Sequence, residues 1–253
     1  MQIKDRVFVI TGGGRGLGLG MALHLARQGG RLALIDNNEK VLAEAGEKVA
    51  ATGARVGVYA CDISLEDQVT DAFTHIRAGL GGVHCLVNNA GLMRDALLIK
   101  LQDGRVSQKM SVQQWQSVVD VNLTGSFLCG REAAAVMAEQ GEGGLIVNIS
   151  SVSRAGNRGQ TNYSATKAGV AAMVVSWAGE LSRYGIRVAG IAPGVVATDM
   201  TAQMKPEAIE RLIAAVPMGR LGEIGEIAHS LQYIIENDYF NGRIIEIDGG
   251  LRV

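Results

Sequence analysis

The chain reads as an α/β protein, a doubly wound parallel sheet of about seven strands with helices on both faces. Three features of its 253 residues predict this. Apolar runs rich in β-branched residues alternate with helix-length segments from end to end. No linker, low-complexity tract or repeat divides them, so one domain over residues 1–253 is expected. One run, Arg6-Val-Phe-Val-Ile-Thr11, passes straight into Gly12-Gly-Gly-Arg-Gly-Leu-Gly18, in the order strand, glycine turn, helix. Another, Gly144-Leu-Ile-Val-Asn-Ile-Ser-Ser151, ends in hydroxyls at what would be the carboxyl edge, where open α/β sheets bind ligands.

Taken in order, strands are placed near residues 6–11, 31–36, 55–61, 83–88, 144–150, 186–192 and 243–247, with helices between them. The first helix should run from Leu17 to Gln28 and stop at Gly29-Gly30, where a left-handed residue can cap it. Gly18 and Gly20 weaken that helix intrinsically, so close packing against the sheet and a ligand is their expected purpose. Arg31-Leu-Ala-Leu-Ile-Asp36 is the second strand. Its terminal carboxylate either N-caps a helix over residues 37–51 or faces a ligand at the glycine turn. Long helices are expected over residues 112–138 and 164–184, whereas residues 98–110 fall between elements as a loop.

Composition narrows the function. With 47% hydrophobic residues the chain can bury one large core. A net charge of -1 argues against a nucleic-acid partner, which needs a basic surface. The most apolar stretches, such as Val170 to Ala178, fall far short of the roughly 20 residues of a membrane span. Met1-Gln-Ile-Lys-Asp-Arg6 lacks a signal peptide's apolar centre, so a cytoplasmic protein is expected. Cys61, Cys85 and Cys129 are isolated and read as reduced core thiols, and His24, His75, His84 and His229 lack metal-ligand spacing.

The chemistry sits in Asn162-Tyr-Ser-Ala-Thr-Lys-Ala-Gly169, where Tyr163 and Lys167 share a helix face. A free tyrosine titrates at roughly 10, and a cation that favours its phenolate would let it exchange protons nearer neutrality. Ser150, at a strand's end, could converge with both on one carbonyl. The glycine turn and the helix after it offer a sharp bend, free amides and a favourable dipole for a pyrophosphate.

Gly12, Gly16 and Gly18, Asn88-Asn-Ala-Gly91, Asn122 in Val-Asn-Leu, Ser150, the Tyr163–Lys167 pair and Pro193-Gly194 occur in that order over nearly the whole chain. Together they resemble the short-chain dehydrogenase/reductase family. The resemblance implies a Rossmann-type fold and a nicotinamide cofactor. Gly12, Gly14, Arg15, Gly16, Leu17 and Gly18 would cradle its phosphates. Asp36 would accept ribose hydroxyls and favour NAD(H), because a carboxylate repels the extra phosphate of NADP. Arg15 occupies a position where NADPH-using relatives carry a base, which keeps NADP(H) open. Asp62 and the Ile63 amide would hold adenine, and Asn89, Ala90 and Gly91 would let the backbone pass the ribose. Pro193, Gly194, Val196 and Thr198 would lie on the nicotinamide side. Ser150 would bind the carbonyl oxygen and Tyr163 would protonate it. Lys167 would hold ribose hydroxyls and lower the tyrosine's pKa, while Asn122 keeps a water and Lys167 in a proton relay.

Gly91-Leu-Met-Arg-Asp95, Pro217-Met-Gly-Arg220 and Ile247-Asp-Gly-Gly250 resemble the 3-oxoacyl-thioester reductase branch. The flank Glu139-Gln-Gly-Glu-Gly143 is acidic, which disfavours docking of an acidic acyl carrier protein, and Arg131, Arg154, Arg158 and Arg183 are the cations that would have to offset it. A coenzyme A thioester and another secondary alcohol, of hydroxyacyl, steroid or polyol type, therefore stay open. A cofactor-binding regulator is the rival of a different class, and it has no use for the set Asn122, Ser150, Tyr163 and Lys167. Met200-Thr-Ala-Gln-Met-Lys205 and the segment 205–215 read as a substrate lid, and the apolar faces of the two long helices imply a homotetramer or homodimer.

Overall fold

A computed structural model describes residues 1–198, 201 and 205–252. In chain order its elements are β1 (Val7–Thr11), α1 (Gly16–Ala26), β2 (Arg31–Asp36), α2 (Glu39–Ala50), β3 (Val56–Ala60), α3 (Glu66–Leu80) and β4 (Cys85–Asn88). Next come β5 (Ile99–Gln102), β6 (Arg105–Lys109), α4 (Val112–Val119), a π-helical stretch (Asp120–Gly125), α5 (Ser126–Gln140) and β7 (Gly144–Ile149). After them lie α6 (Thr161–Leu181), β8 (Ile186–Pro193), α7 (Pro206–Ala215), α8 (Ile224–Glu236) and β9 (Ile244–Ile247).

Seven strands form one parallel sheet in the order β3-β2-β1-β4-β7-β8-β9. Strand periodicity explains why both faces are covered. Phe8 and Ile10 of β1 point into one core with Met21 and Leu25 of α1, Leu42 of α2 and Leu231 of α8. Val7 and Val9 point into the other with Phe73 of α3, Met137 of α5 and Val174 of α6. Each such fully buried side chain contributes about 1.5–3 kcal/mol relative to exposure. Strand order reverses between β1 and β4, and the crevice at the carboxyl ends of those strands is where such sheets place ligands.

The seven strands lie where the sequence placed them. Helix α1 ends slightly earlier than expected, and Gly29 just beyond it has a φ of 83°, the left-handed residue that closes it. Gly20 serves helix packing rather than the sheet or a ligand: a β-carbon there would lie 2.1 Å from Ile224 Cγ2 of α8. The segment expected as a loop at 98–110 is instead an antiparallel hairpin, β5–β6, with every strand residue exposed. The helix expected over residues 112–138 is α4 and α5 joined by the π-helical stretch that carries Asn122. Of the lid expected at 200–205, residues 200 and 202–204 lie outside the described residues; α7 follows from Pro206 with a proline at its first position. Among the described residues no helix is long and apolar enough to cross a membrane, and no group of His, Cys, Asp and Glu could hold a metal ion. All three cysteines are free and buried; burial pushes the Cys61 thiol up to about 11 and Cys85 up to about 12.

Candidate active site

The glycine turn joins β1 to α1, and two neighbours fix its shape. Thr11 Oγ1 accepts from the amides of Asn89 and Ala90, both at 3.0 Å, and Asn89 Nδ2 donates to the carbonyls of Thr11 (2.9 Å) and Gly12 (3.2 Å). Thr11 was not singled out in the sequence, although a threonine ending a strand before a glycine turn is its signal. Gly18 must be glycine because a β-carbon would stand 2.1 Å from Gly12 O. Gly16, at φ 54°, faces open space, and no side chain caps α1; Leu19 N donates to Arg15 O at 3.2 Å, while the amides of Gly16, Leu17 and Gly18 before it have no acceptor among the described residues. An open, uncapped helix start beside a glycine turn fits the pyrophosphate of a dinucleotide.

Asp36, at the end of β2, turns into this cradle. Its Oδ2 accepts from Gly14 N at 3.1 Å and its Oδ1 from Asn38 N at 3.1 Å. It does not cap α2; Asn38 does, accepting from Val41 N. Arg15 holds extended backbone at φ −158° and is exposed. Asp62 accepts from the amide (3.0 Å) and hydroxyl (2.7 Å) of Ser64, which shapes the turn before α3, and Ile63 is buried against Gly125. Gly194 N donates to Ile247 O at 2.9 Å, and a β-carbon on Gly194 would meet Asp248 Cα at 2.7 Å. Val196 bridges Gly222, and the Thr198 amide donates to Thr201 Oγ1 at 2.8 Å.

Tyr163 and Lys167 lie in the first turns of α6, beside the carboxyl end of β7. Lys167 is buried and its Nζ donates to Ile149 O at 2.7 Å, 5.7 Å from the centre of the Tyr163 ring. Burial lowers its pKa to about 8. The Tyr163 phenol is held above its ordinary value, chiefly by burial, opposed by a hydrogen bond with the Ser151 hydroxyl and reinforced by the charge of Asp95. Burial thus outweighs the lowering expected from Lys167, and the tyrosine's pKa is raised on balance.

Ser150 needs a second correction. Its hydroxyl donates to Lys167 O at 2.9 Å and is buried, so it anchors α6 to the strand end and does not face the phenol. Ser151 does. Its backbone is extended, at φ −163° and ψ 156°, and successive side chains of extended chain point to opposite sides, so one hydroxyl enters the helix packing and the next the cleft. Ser151 Oγ also accepts from Ser153 N at 3.1 Å, which fixes its direction.

Asn122 is fully buried. Its Oδ1 accepts from Leu92 N at 2.7 Å, and its Nδ2 donates to Leu92 O (3.0 Å) and Thr166 Oγ1 (3.3 Å). It thus clamps the chain leaving β4 against α6, and Gly91 lies beside both Asn122 and Lys167: a β-carbon there would make ordinary contact with Asn122 Oδ1 at 3.6 Å and Lys167 Nζ at 3.7 Å. A phenol, a hydroxyl and a buried ammonium on one side of the crevice, with a phosphate-ready turn on the other, can accept a carbonyl and exchange a proton with it.

Comparisons with known proteins agree with this geometry. The short chain dehydrogenase family model matches residues 6–208. The human 3-oxoacyl-[acyl-carrier-protein] reductase is 38% identical over 98% of this chain and 99% of its own length. The Thermotoga maritima 3-oxoacyl-[acyl-carrier-protein] reductase is 34% identical, over 99% of both. The crystal structure of levodione reductase superposes with a TM-score of 0.88 at 32% identity, covering 98% of this chain and 97% of that one. The chain belongs to the short-chain dehydrogenase/reductase family and is an NAD(P)-dependent oxidoreductase.

Proposed function

We propose that the protein reduces a 3-oxoacyl thioester to the 3-hydroxyacyl thioester, or runs the reverse oxidation, with NAD(H) preferred. The observation that carries this reading is the grouping of the Ser151 hydroxyl, the Tyr163 phenol and the buried Lys167 ammonium at the end of β7. The likeness to two reductases of acyl-carrier-protein thioesters supports the substrate class.

A bound nicotinamide supplies or takes up the hydride. The chain's own residues do the rest. Gly12, Gly14, Gly16, Leu17 and Gly18 hold the diphosphate, with Asn89, Ala90 and Gly91 beside it. Asp36 takes the adenosine ribose hydroxyls; with both oxygens already facing amide donors at the turn, it would repel a phosphate there. Asp62 and Ile63 border the adenine, and Pro193, Gly194, Val196 and Thr198 border the nicotinamide. Ser151, in place of Ser150, donates to the carbonyl oxygen as negative charge grows there. Tyr163 gives that oxygen its proton. Lys167 holds the ribose near the nicotinamide and stabilises the phenolate left behind, and Asn122 keeps the loop after β4 and α6 in register.

Replacing Tyr163 with Phe tests the assignment. Turnover of acetoacetyl-coenzyme A should fall about 10²- to 10⁴-fold while cofactor affinity, read by fluorescence titration, stays within about twofold. Turnover preserved in the variant would remove the phenol from the chemistry.

A further inference from the structure

Asp95 stands at the mouth of the cleft, outside the roles above, and its position is tightly determined. Ala96 N donates to Gly159 O at 2.8 Å, and Ala96 pairs with Gln160 as a parallel bridge. Asn162 Nδ2 donates to Arg94 O (3.0 Å) and Gln114 O (3.1 Å). Between these ties, Gln160 Nε2 donates to Asp95 Oδ2 at 3.0 Å, which holds the carboxylate at the start of α6, just before Tyr163 in the chain. Its charge reaches the phenol.

Three neighbouring cations are directed elsewhere, and no ion pair joins Arg158 to Asp95 among the described residues. The Arg94 guanidinium donates to Met93 O, Arg154 donates to Ser151 O and pairs with Glu246, and the Lys167 ammonium is buried against Ile149 O. Among the described residues Asp95 has no ion-pair partner. A fixed, unneutralised carboxylate beside the proton donor repels a second carboxylate brought in with the substrate. A 3-oxo acid carries one two bonds from its reacting carbon; its ester or thioester does not.

We propose that Asp95 determines substrate class by making the cleft select 3-oxo compounds whose acid end is masked as an ester or thioester over the same compounds as free carboxylates. This rests on the 3-oxoacyl reading and deepens it.

The test compares kcat/KM for acetoacetate and methyl acetoacetate at saturating cofactor in the wild-type enzyme, in Asp95→Asn, which keeps the shape and the Gln160 contact, and in Asp95→Lys, which reverses the charge at that place. Wild type should prefer the ester. Asp95→Asn should narrow the preference about fivefold through a gain with acetoacetate, and Asp95→Lys should narrow it further. Raising the salt concentration should narrow the wild-type preference. A ratio unmoved in both variants, or the two substrates rising and falling together, would overturn the inference with the 3-oxoacyl reading intact. Turnover of neither compound by wild type, with cofactor bound, would overturn both.

Discussion

Ser150 and Ser151 are neighbours with opposite surroundings, and the difference separates structure from chemistry. Ser150 bonds a buried carbonyl of α6, so Ser150→Ala should cost about 1 kcal/mol of stability and leave kcat within a few-fold. Ser151→Ala, which removes the acceptor of Ser153 N, should also cost about 1 kcal/mol of stability but lower kcat about 10²-fold. Chemical denaturation checks both stability losses and steady-state kinetics on the two variants separates the roles; equal losses of kcat would contradict them. The sequence showed that a hydroxyl stood at this strand's end but not which, because the side each residue faces depends on where the extended backbone gives way to the turn at Val152–Ala155. Lys167 carries a pH signature. Its folded pKa, about 8, lies below the ordinary 10.5, so the ammonium is present below pH 8 and is lost as pH rises through that value. NADH affinity should therefore weaken above about pH 8 in the wild-type enzyme and stay level in Lys167→Arg, whose guanidinium does not titrate there. A fluorescence-measured Kd independent of pH up to 9.5 in wild type would remove the Lys167 cation from cofactor binding.

The central elements were legible because both faces of the sheet's interior are buried, which writes β1, β2, β4 and β7 as largely apolar runs. The hairpin β5–β6 was not. Its strands, Ile-Lys-Leu-Gln and Arg-Val-Ser-Gln-Lys, rest on no core, so no burial pattern marks them, and its turn at Asp103-Gly104 is the one local signal. Because Met110 N already donates to Leu98 O at 3.0 Å, the ends of the hairpin lie together. Replacing residues 99–109 with Asn-Gly should shift Tm by no more than about 3 °C. A drop of 10 °C or more in a thermal melt would show that the hairpin is part of the core fold. The π-helical stretch is likewise invisible to periodicity, since one widened turn inside an amphipathic helix leaves its apolar face nearly intact. Yet it carries Asn122, whose amide ties the chain after β4 to α6.

Taken together, the fold brings three distant stretches of chain to one edge of one sheet. In the proposed reading the turn after β1 holds the phosphates, Asp36 at the end of β2 reads the ribose, and the end of β7 with α6 supplies the proton. The order of these motifs made the family legible from sequence. Substrate and cofactor preference were less so, because in the proposed reading they rest on the direction of a few polar side chains, such as Asp36, Ser151 and Asp95, and direction is a property of the packed molecule. The most direct test is the initial rate of NADH and NADPH oxidation, measured in parallel with acetoacetyl-coenzyme A. Turnover with both the thioester and NADH, and at least about tenfold higher kcat/KM for NADH than for NADPH, is predicted from the Asp36 carboxylate in the cradle. No turnover with either cofactor, while NADH binds, would contradict the assignment of this site to 3-oxoacyl thioesters.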